Sequence, residues 1–197
     1  MSSPLADPSF LKRLIAETVH PGPPDTGRYR LACVFLLLFL RKGCMHVLAI
    51  QKTDTEGYPW RNQVALPGGH IDPDDPDALS ACFRELQEEL GIGAEEVVFT
   101  GSMGHFQTIN DRDLEVFTGF WKQERPISHK KKEISRVLHL PVPELMKTHI
   151  EQGFHGWIPD VHRLLYPVGD VTVWGVTARI LHHMLEMLHG IRHCLGP

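Results

Sequence analysis

Three glutamates, Glu85, Glu88 and Glu89, stand at i, i+3 and i+4 in the run Arg84-Glu85-Leu86-Gln87-Glu88-Glu89-Leu90. On a helix such positions are surface neighbours, so the three carboxylates project from one face and repel one another. A hard divalent cation removes that conflict, because Mg²⁺ takes oxygen ligands and keeps several waters that a phosphate can displace. Arg84 adjoins Glu85 and is placed to orient it by a charge-assisted hydrogen bond. Just upstream, Leu66-Pro67-Gly68-Gly69-His70 supplies two glycines. Without side chains there, the backbone can approach a metal or phosphate closely, and a free carbonyl can add a ligand. Taken alone, the acidic face is an ordinary solvated helix side. The glycine pair ahead of it turns the reading toward a phosphate-plus-metal site.

The elements that must position these residues are legible in the hydrophobic pattern. Asp77 to Leu90 has an apolar stripe of Leu79, Cys82, Phe83, Leu86 and Leu90 at spacings of three and four, and Gly91 is a natural helix stop. Leu31–Leu40 and Met45–Ile50 are apolar runs joined by Arg41-Lys42-Gly43, which predicts a buried β-hairpin. A short strand is expected over Gln63–Leu66, with the Pro-Gly-Gly stretch after it as a loop. Further strands are expected over Val97–Thr108, Leu114–Trp121, Ser135–Leu140 and near Val171–Trp174. Helices are expected over residues 8–19, Pro143–His149 and Val176–His189, the first after an Asp7-Pro8-Ser9 start signal. Strands on both sides of one central helix predict an α/β domain with a mixed sheet between helices.

The segment from Gly69 to Ile92 resembles a Nudix box, GX5EX7REUXEEXGU with U aliphatic. Arg84 to Ile92 match the second half in full. The first half departs: Gly69 lies one residue farther from Arg84 than the standard spacing, and Asp75 is the nearest acid to the first Glu position. The resemblance runs from about Arg28 to Leu188. It implies an α/β/α sandwich, with residues 1–27 as an N-terminal helix and linker and 28–197 as the hydrolase domain. It further implies that Glu85, Glu88, Glu89 and the Gly68 carbonyl bind Mg²⁺ or Mn²⁺ and that Arg84 holds Glu85. Members of the family often add an acid from a later loop, and Glu133 sits where that acid usually falls. Glu133 also reads as a solvated glutamate beside a lysine run, and Glu115 and Asp113 compete for the same role.

The reaction the resemblance implies is hydrolysis of a diphosphate linkage in a nucleoside diphosphate derivative, with water attacking one phosphorus in line with the leaving group. The stretch Gly-Gly-His-Ile-Asp-Pro-Asp-Asp-Pro-Asp and the segment Val173-Trp174-Gly175-Val176-Thr177-Ala178-Arg179-Ile180-Leu181 are similar to the coenzyme A pyrophosphatase branch. That branch's upstream signature is degraded here, with Gln51, Thr53, Tyr58 and Asn62 at or near its key positions. ADP-ribose, NADH, dinucleotides and a non-catalytic nucleotide-binding role remain as alternatives. Trp60 and Arg61 are placed to stack on a base or touch phosphate, or to pack the loop. Lys130, Lys131 and Lys132 could attract a substrate bearing an extra phosphate, or form a solvated loop. Trp174 and Arg179 are expected to dock the last helix, and His182, His183, His189 and His193 to form its polar end, with metal binding there as the lesser alternative.

Composition bounds the rest. Lys+Arg 20 against Asp+Glu 24 gives a net charge of -4, which disfavours nucleic acid as a partner. The apolar run Leu31–Leu40 is about half the length that crosses a bilayer, so no membrane partner is expected. Cys33, Cys44, Cys82 and Cys194 contain no CxxC pair, and no signal-peptide pattern opens the chain. A reduced, cytoplasmic protein acting on a small molecule is expected, with homodimerisation open.

Overall fold

Alternation in the longest strand decides the layering. In a computed structural model that describes residues 7–25, 27–56, 60–129 and 132–191, β1 (Arg30–Arg41) is the centre of the sheet. Its residues Cys33, Phe35, Leu37 and Phe39 point to one face, and Leu36 and Leu38 to the other. Both faces are apolar because both are covered, as expected for a strand buried on two sides.

β1 turns through Lys42 and Gly43, both at positive φ, into β2 (Cys44–Lys52), with Arg41 opposite Cys44. Two consecutive residues at positive φ suit the right-handed twist of a tight hairpin. β3 (Val64–Ala65) adds to β2 near Ile50. The expected glycine loop is instead largely a strand: β4 (Gly68–His70) pairs antiparallel with β1, from Val34–Gly68 to Ala32–His70. Only glycine fits its first position, where φ is +145° and a Cβ would lie 2.2 Å from the Cys33 carbonyl oxygen.

α2 (Ala78–Leu90) follows, started by Asp77, whose carboxylate accepts from the Ser80 amide at 2.7 Å. It ends at Gly91, φ 69°. After a 3-10 turn at Ala94–Glu96 come β5 (Val97–Gln107) and β6 (Arg112–Trp121), an antiparallel pair. β6 lies parallel to β1, from Arg30–Arg112 to Leu38–Phe120, which makes the sheet mixed. β7 (Ile134–Pro141) pairs with the other side of β2. The sheet order is β3-β2-β1-β6-β5, with β4 beside β1 and β7 beside β2.

α2 covers the Phe35 face, through Ala81, Cys82, Leu86 and Leu90. The opposite face receives α1 (Pro8–Glu17), α3 (Val142–Glu151) and α4 (Gly175–His189). A small hairpin of β8 (Tyr166–Val168) and β9 (Val171–Val173) precedes α4; the first of these strands is too short to read from alternation. The architecture is an α/β sandwich with a mixed sheet between helices, in agreement with the sequence reading. Among the described residues, no helix is long and apolar enough to cross a membrane.

Candidate active site

The apolar stripe of α2 lies on the sheet and therefore fixes the direction of its acids. Arg84 is the hub. Its Nε and NH2 atoms donate to the two carboxylate oxygens of Asp75, each at 3.0 Å, and NH2 also donates to the His70 carbonyl at 3.1 Å. Its NH1 donates to Glu85 at 3.0 Å and to Glu88 at 3.3 Å. One guanidinium thus binds the 70–75 turn to the acidic face. The hydrogen bond from Arg84 holds the Asp75 carboxyl below the usual range, and the Asp75 bond in turn leads the rise of the Arg84 guanidinium. Asp75 therefore grips the arginine from outside the helix.

The three glutamates differ in environment. Glu88 is well exposed, with 45% of its side chain open to solvent. Glu85 lies against Gly69, where a Cβ would come within 2.4 Å of its carboxylate carbon. Burial is the largest influence on Glu85 and pushes its carboxyl up, partly opposed by Arg84 and reinforced by Glu89 and Glu88. Glu89 is turned inward and only 3% exposed. Its Oε1 takes a salt bridge from Lys52 at 2.8 Å, and its Oε2 accepts from the Gly68 amide at 3.0 Å. So it is the amide of Gly68 that meets this helix, while the Gly69 carbonyl faces the Cys33 thiol at 3.8 Å.

Gly68, Gly69, His70 and Lys52 also line a cavity of about 850 Å³. Its wall includes Trp60 and Arg112, whose guanidinium lies 5.7 Å from the centroid of the Trp60 ring and contacts Nε2 of His70. Residues 158–162 and the first turns of α4 complete it. Trp174 and Arg179, expected only to dock the helix, both line the cavity, although NH1 of Arg179 also donates to the Gln107 carbonyl at 3.4 Å. The reason is topological: the β8–β9 hairpin leads directly into α4, whose first residues face the same cavity as β4, so the docking residues also become wall.

The remaining predicted residues scatter. Arg61 is exposed beside Asp54, with Nε 3.9 Å from Oδ1, and lies off the cavity wall. Glu133 is exposed next to β7, its carbonyl accepting from the Thr53 amide at 3.1 Å. Lys132 is exposed beside Thr53, and Lys130 and Lys131 lie outside the described residues. Glu115 is half-buried on β6, opposite Cys33 of β1 and therefore on the α2 face. Asp113 is buried and engaged by His105 at 2.8 Å and Gln107 at 2.7 Å, a tie within the β5–β6 pair. Sequence reasoning missed Lys52 and Arg112. A lysine at a strand end and an arginine in a polar turn carry no local sign that they face inward, since that depends on strand pairing.

A NUDIX domain model matches residues 29–161. Relatives described as uncharacterized Nudix hydrolase NudL, from Yersinia pestis and Yersinia pseudotuberculosis, are 26% identical over 133 residues, spanning 64% of this chain and 64% of theirs. The chain thus aligns with less than two thirds of the length of these curated relatives. Among solved structures, a MutT/nudix family protein from Enterococcus faecalis superposes with a TM-score of 0.52 at 18% identity, over 92% of this chain and 73% of that one. That likeness is one of fold, and the domain match spans most of the chain. This protein belongs to the NUDIX domain family.

Proposed function

We propose that the protein is a divalent-metal-dependent hydrolase that cleaves the diphosphate linkage of a nucleoside diphosphate derivative. The observation that carries this reading is the junction at Gly68–Gly69. There the acidic face of α2 and a cavity large enough for a nucleotide meet across two residues without side chains. The donor set is all oxygen and anionic, as Mg²⁺ or Mn²⁺ prefers. Glu85, Glu88 and Glu89 would hold the ion, with Glu89 exchanging its Lys52 contact, and backbone carbonyl oxygen at Gly68–Gly69 in reach. When bound, such an ion neutralises diphosphate charge and lowers the pKa of water.

The chain's own residues do the rest. Arg84 sets the separation of Glu85 and Glu88 through its NH1 atom. A carboxylate of this face, Glu85 among them, would accept the proton from attacking water. Glu133 and Glu115 are alternative bases, the first exposed and the second on the α2 face. Trp60, backed by Arg112, offers a ring on which a base can stack. Most of the rate in such a site comes from positioning and charge stabilisation.

For the substrate, coenzyme A or an acyl derivative is the first choice, giving 3′,5′-ADP and 4′-phosphopantetheine. The segment Val173–Leu181, on which the resemblance to that branch partly rests, forms part of the cavity wall. Lys132 and its neighbours would favour the 3′-phosphate through a salt-sensitive attraction. ADP-ribose, NADH or a dinucleotide is the second reading, favoured by the degraded upstream signature: Gln51 is spent on the Asn62 carbonyl at 3.2 Å and on Arg136 at 2.8 Å.

A hydrolysis screen with Mg²⁺ and Mn²⁺ over coenzyme A, ADP-ribose, NADH, dinucleotides and nucleoside triphosphates tests the proposal. Glu85→Gln, Glu88→Gln and Glu89→Gln should each lower kcat by orders of magnitude in folded protein. Wild-type turnover in both Glu88→Gln and Glu89→Gln would place the chemistry elsewhere. Nucleotide binding without turnover would favour a non-catalytic module.

A further inference from the structure

On the sheet face away from α2, a polar cluster that the hydrolase reading does not use is enclosed by α3, α4 and the loop at 154–157. His149 is fully buried, with Nε2 2.7 Å from Glu186 Oε1 and Nδ1 2.9 Å from the Tyr166 hydroxyl. His182 is also buried, and its Nε2 lies 3.1 Å from the Phe154 carbonyl oxygen and 2.9 Å from that of Trp157. Both partners are acceptors, so Nε2 carries the proton and Nδ1 keeps the lone pair. His155 brings Nδ1 to 3.0 Å from Glu186 Oε1, and its ring stacks on His189 with centroids 3.6 Å apart. One donor atom from each of His149, His182 and Glu186 lies within 4.8 Å of the other two.

We propose that His149, His182 and Glu186 form a Zn²⁺ site, distinct from the acids of α2. Zinc takes imidazole and carboxylate ligands at about 2.0–2.2 Å, in tetrahedral sets whose ligand atoms stand about 3.3 Å apart. An ion between His149 and Glu186 would replace the proton they share and widen their contact from 2.7 Å to the spacing of two ligands. Histidines that bind metal usually donate their other ring N–H to a carbonyl, carboxylate or similar partner, which fixes tautomer and orientation. His182 already does so to two carbonyls, and His149 has the Tyr166 hydroxyl at its second nitrogen.

The two sites differ in ligand chemistry. Imidazole nitrogen suits zinc, while an all-carboxylate face suits Mg²⁺ or Mn²⁺, so each ion has its own address. The consequence for the rest of the protein follows from the chain path. The loop tied down by His155 and the carbonyl of Trp157 runs directly into residues 158–162 of the cavity wall, and α4 supplies the rest of that wall. Zinc would staple α3, this loop and α4 together and hold the wall in place. Without metal affinity, the cluster is a hydrogen-bonded tie between two helices and nothing more.

The test uses the full chain, stripped with chelator and returned to excess Mg²⁺ so that the α2 acids are occupied. Calorimetric titration with Zn²⁺ should show one tight equivalent. Glu186→Gln and His182→Gln should each weaken it by about 100-fold or more, and Tyr166→Phe by about tenfold. The double variant Glu88→Gln/Glu89→Gln should bind that equivalent as the wild type does. X-ray absorption on the zinc-loaded wild type, which needs no variant to fold, should show two imidazoles around the metal. Absence of a tight equivalent, or an all-oxygen shell, would overturn the proposal. So would zinc binding that survives Glu186→Gln but is lost in the double variant.

Discussion

Arg84 and Asp75 are joined by two parallel hydrogen bonds, Nε to Oδ1 and NH2 to Oδ2, both 3.0 Å. The same guanidinium uses its remaining NH1 on Glu85 and Glu88, so Asp75 sets the acidic face without belonging to it. Asp75→Asn removes the charge and one acceptor while keeping the shape. We expect hydrolysis or Mg²⁺ affinity to fall about 10–100-fold, as when an outer-shell partner is lost, with little change in Tm. Activity measured against Mg²⁺ concentration checks this. Unchanged Mg²⁺ dependence and rate would show that Arg84 is positioned without Asp75.

Lys52 is the counter-charge of a buried carboxylate, Glu89, 2.8 Å away. Breaking such a pair strands a buried charge, which costs about 3–5 kcal/mol. Lys52→Met should therefore destabilise the chelator-treated protein by that amount in urea unfolding. Mg²⁺ should restore part of the loss, because a bound cation replaces the missing ammonium. A Lys52→Met protein whose stability ignores Mg²⁺ would show that Glu89 does not reach the metal.

Gly68 and Gly69 should respond differently to alanine. At Gly69 the new Cβ meets the carboxylate end of Glu85, 2.4–2.7 Å away, and a side-chain end can move aside. Gly69→Ala should fold with near-normal Tm and lose about 100-fold in kcat through misplacement of Glu85. At Gly68 the Cβ meets backbone, the Cys33 carbonyl oxygen at 2.2 Å, at a φ of +145°. Gly68→Ala should be strongly destabilised, by more than about 4 kcal/mol. Thermal melts alongside kinetics separate the two, and equal Tm losses would contradict the argument.

His183 couples the N-terminal segment to α4 through His20, whose Nδ1 lies 2.9 Å from His183 Nε2. Burial, then His20 and His182, depress the His183 ring from 6.5 to about 4, against a smaller opposing pull from Glu186. Between those pH values the unfolded chain binds more protons than the folded one, so stability rises with pH. The contribution is complete above about pH 6.5 and is lost as pH falls toward 4, with a slope of up to about 1.4 kcal/mol per pH unit. His183→Phe, packed against Phe106, should flatten that part of the stability profile in urea unfolding from pH 4 to 7. An unchanged slope would assign it to another group.

What the sequence determined on its own is local. The apolar stripe from Leu79 to Leu90, the Asp77 start and the Gly91 stop define α2 because helix periodicity and capping involve residues within a few positions of each other. They also place Glu85, Glu88 and Glu89 on one face, and the Arg84–Ile92 run by itself carries the family's motif. The hairpin at Lys42–Gly43 was equally legible, since two residues suffice to make it. What only the tertiary structure decided involves groups far apart in the chain. Pairing of β4 with β1 turned an expected glycine loop into a strand, because Val34 and Gly68 had first to meet. The parallel register of β1 and β6 sets Arg112 opposite Arg30 and so near Trp60. Lys52 finding Glu89, and His149 finding Glu186, each span 37 residues. Charge and size at such positions are compatible with solvent or with burial, and sheet register and helix docking choose between them.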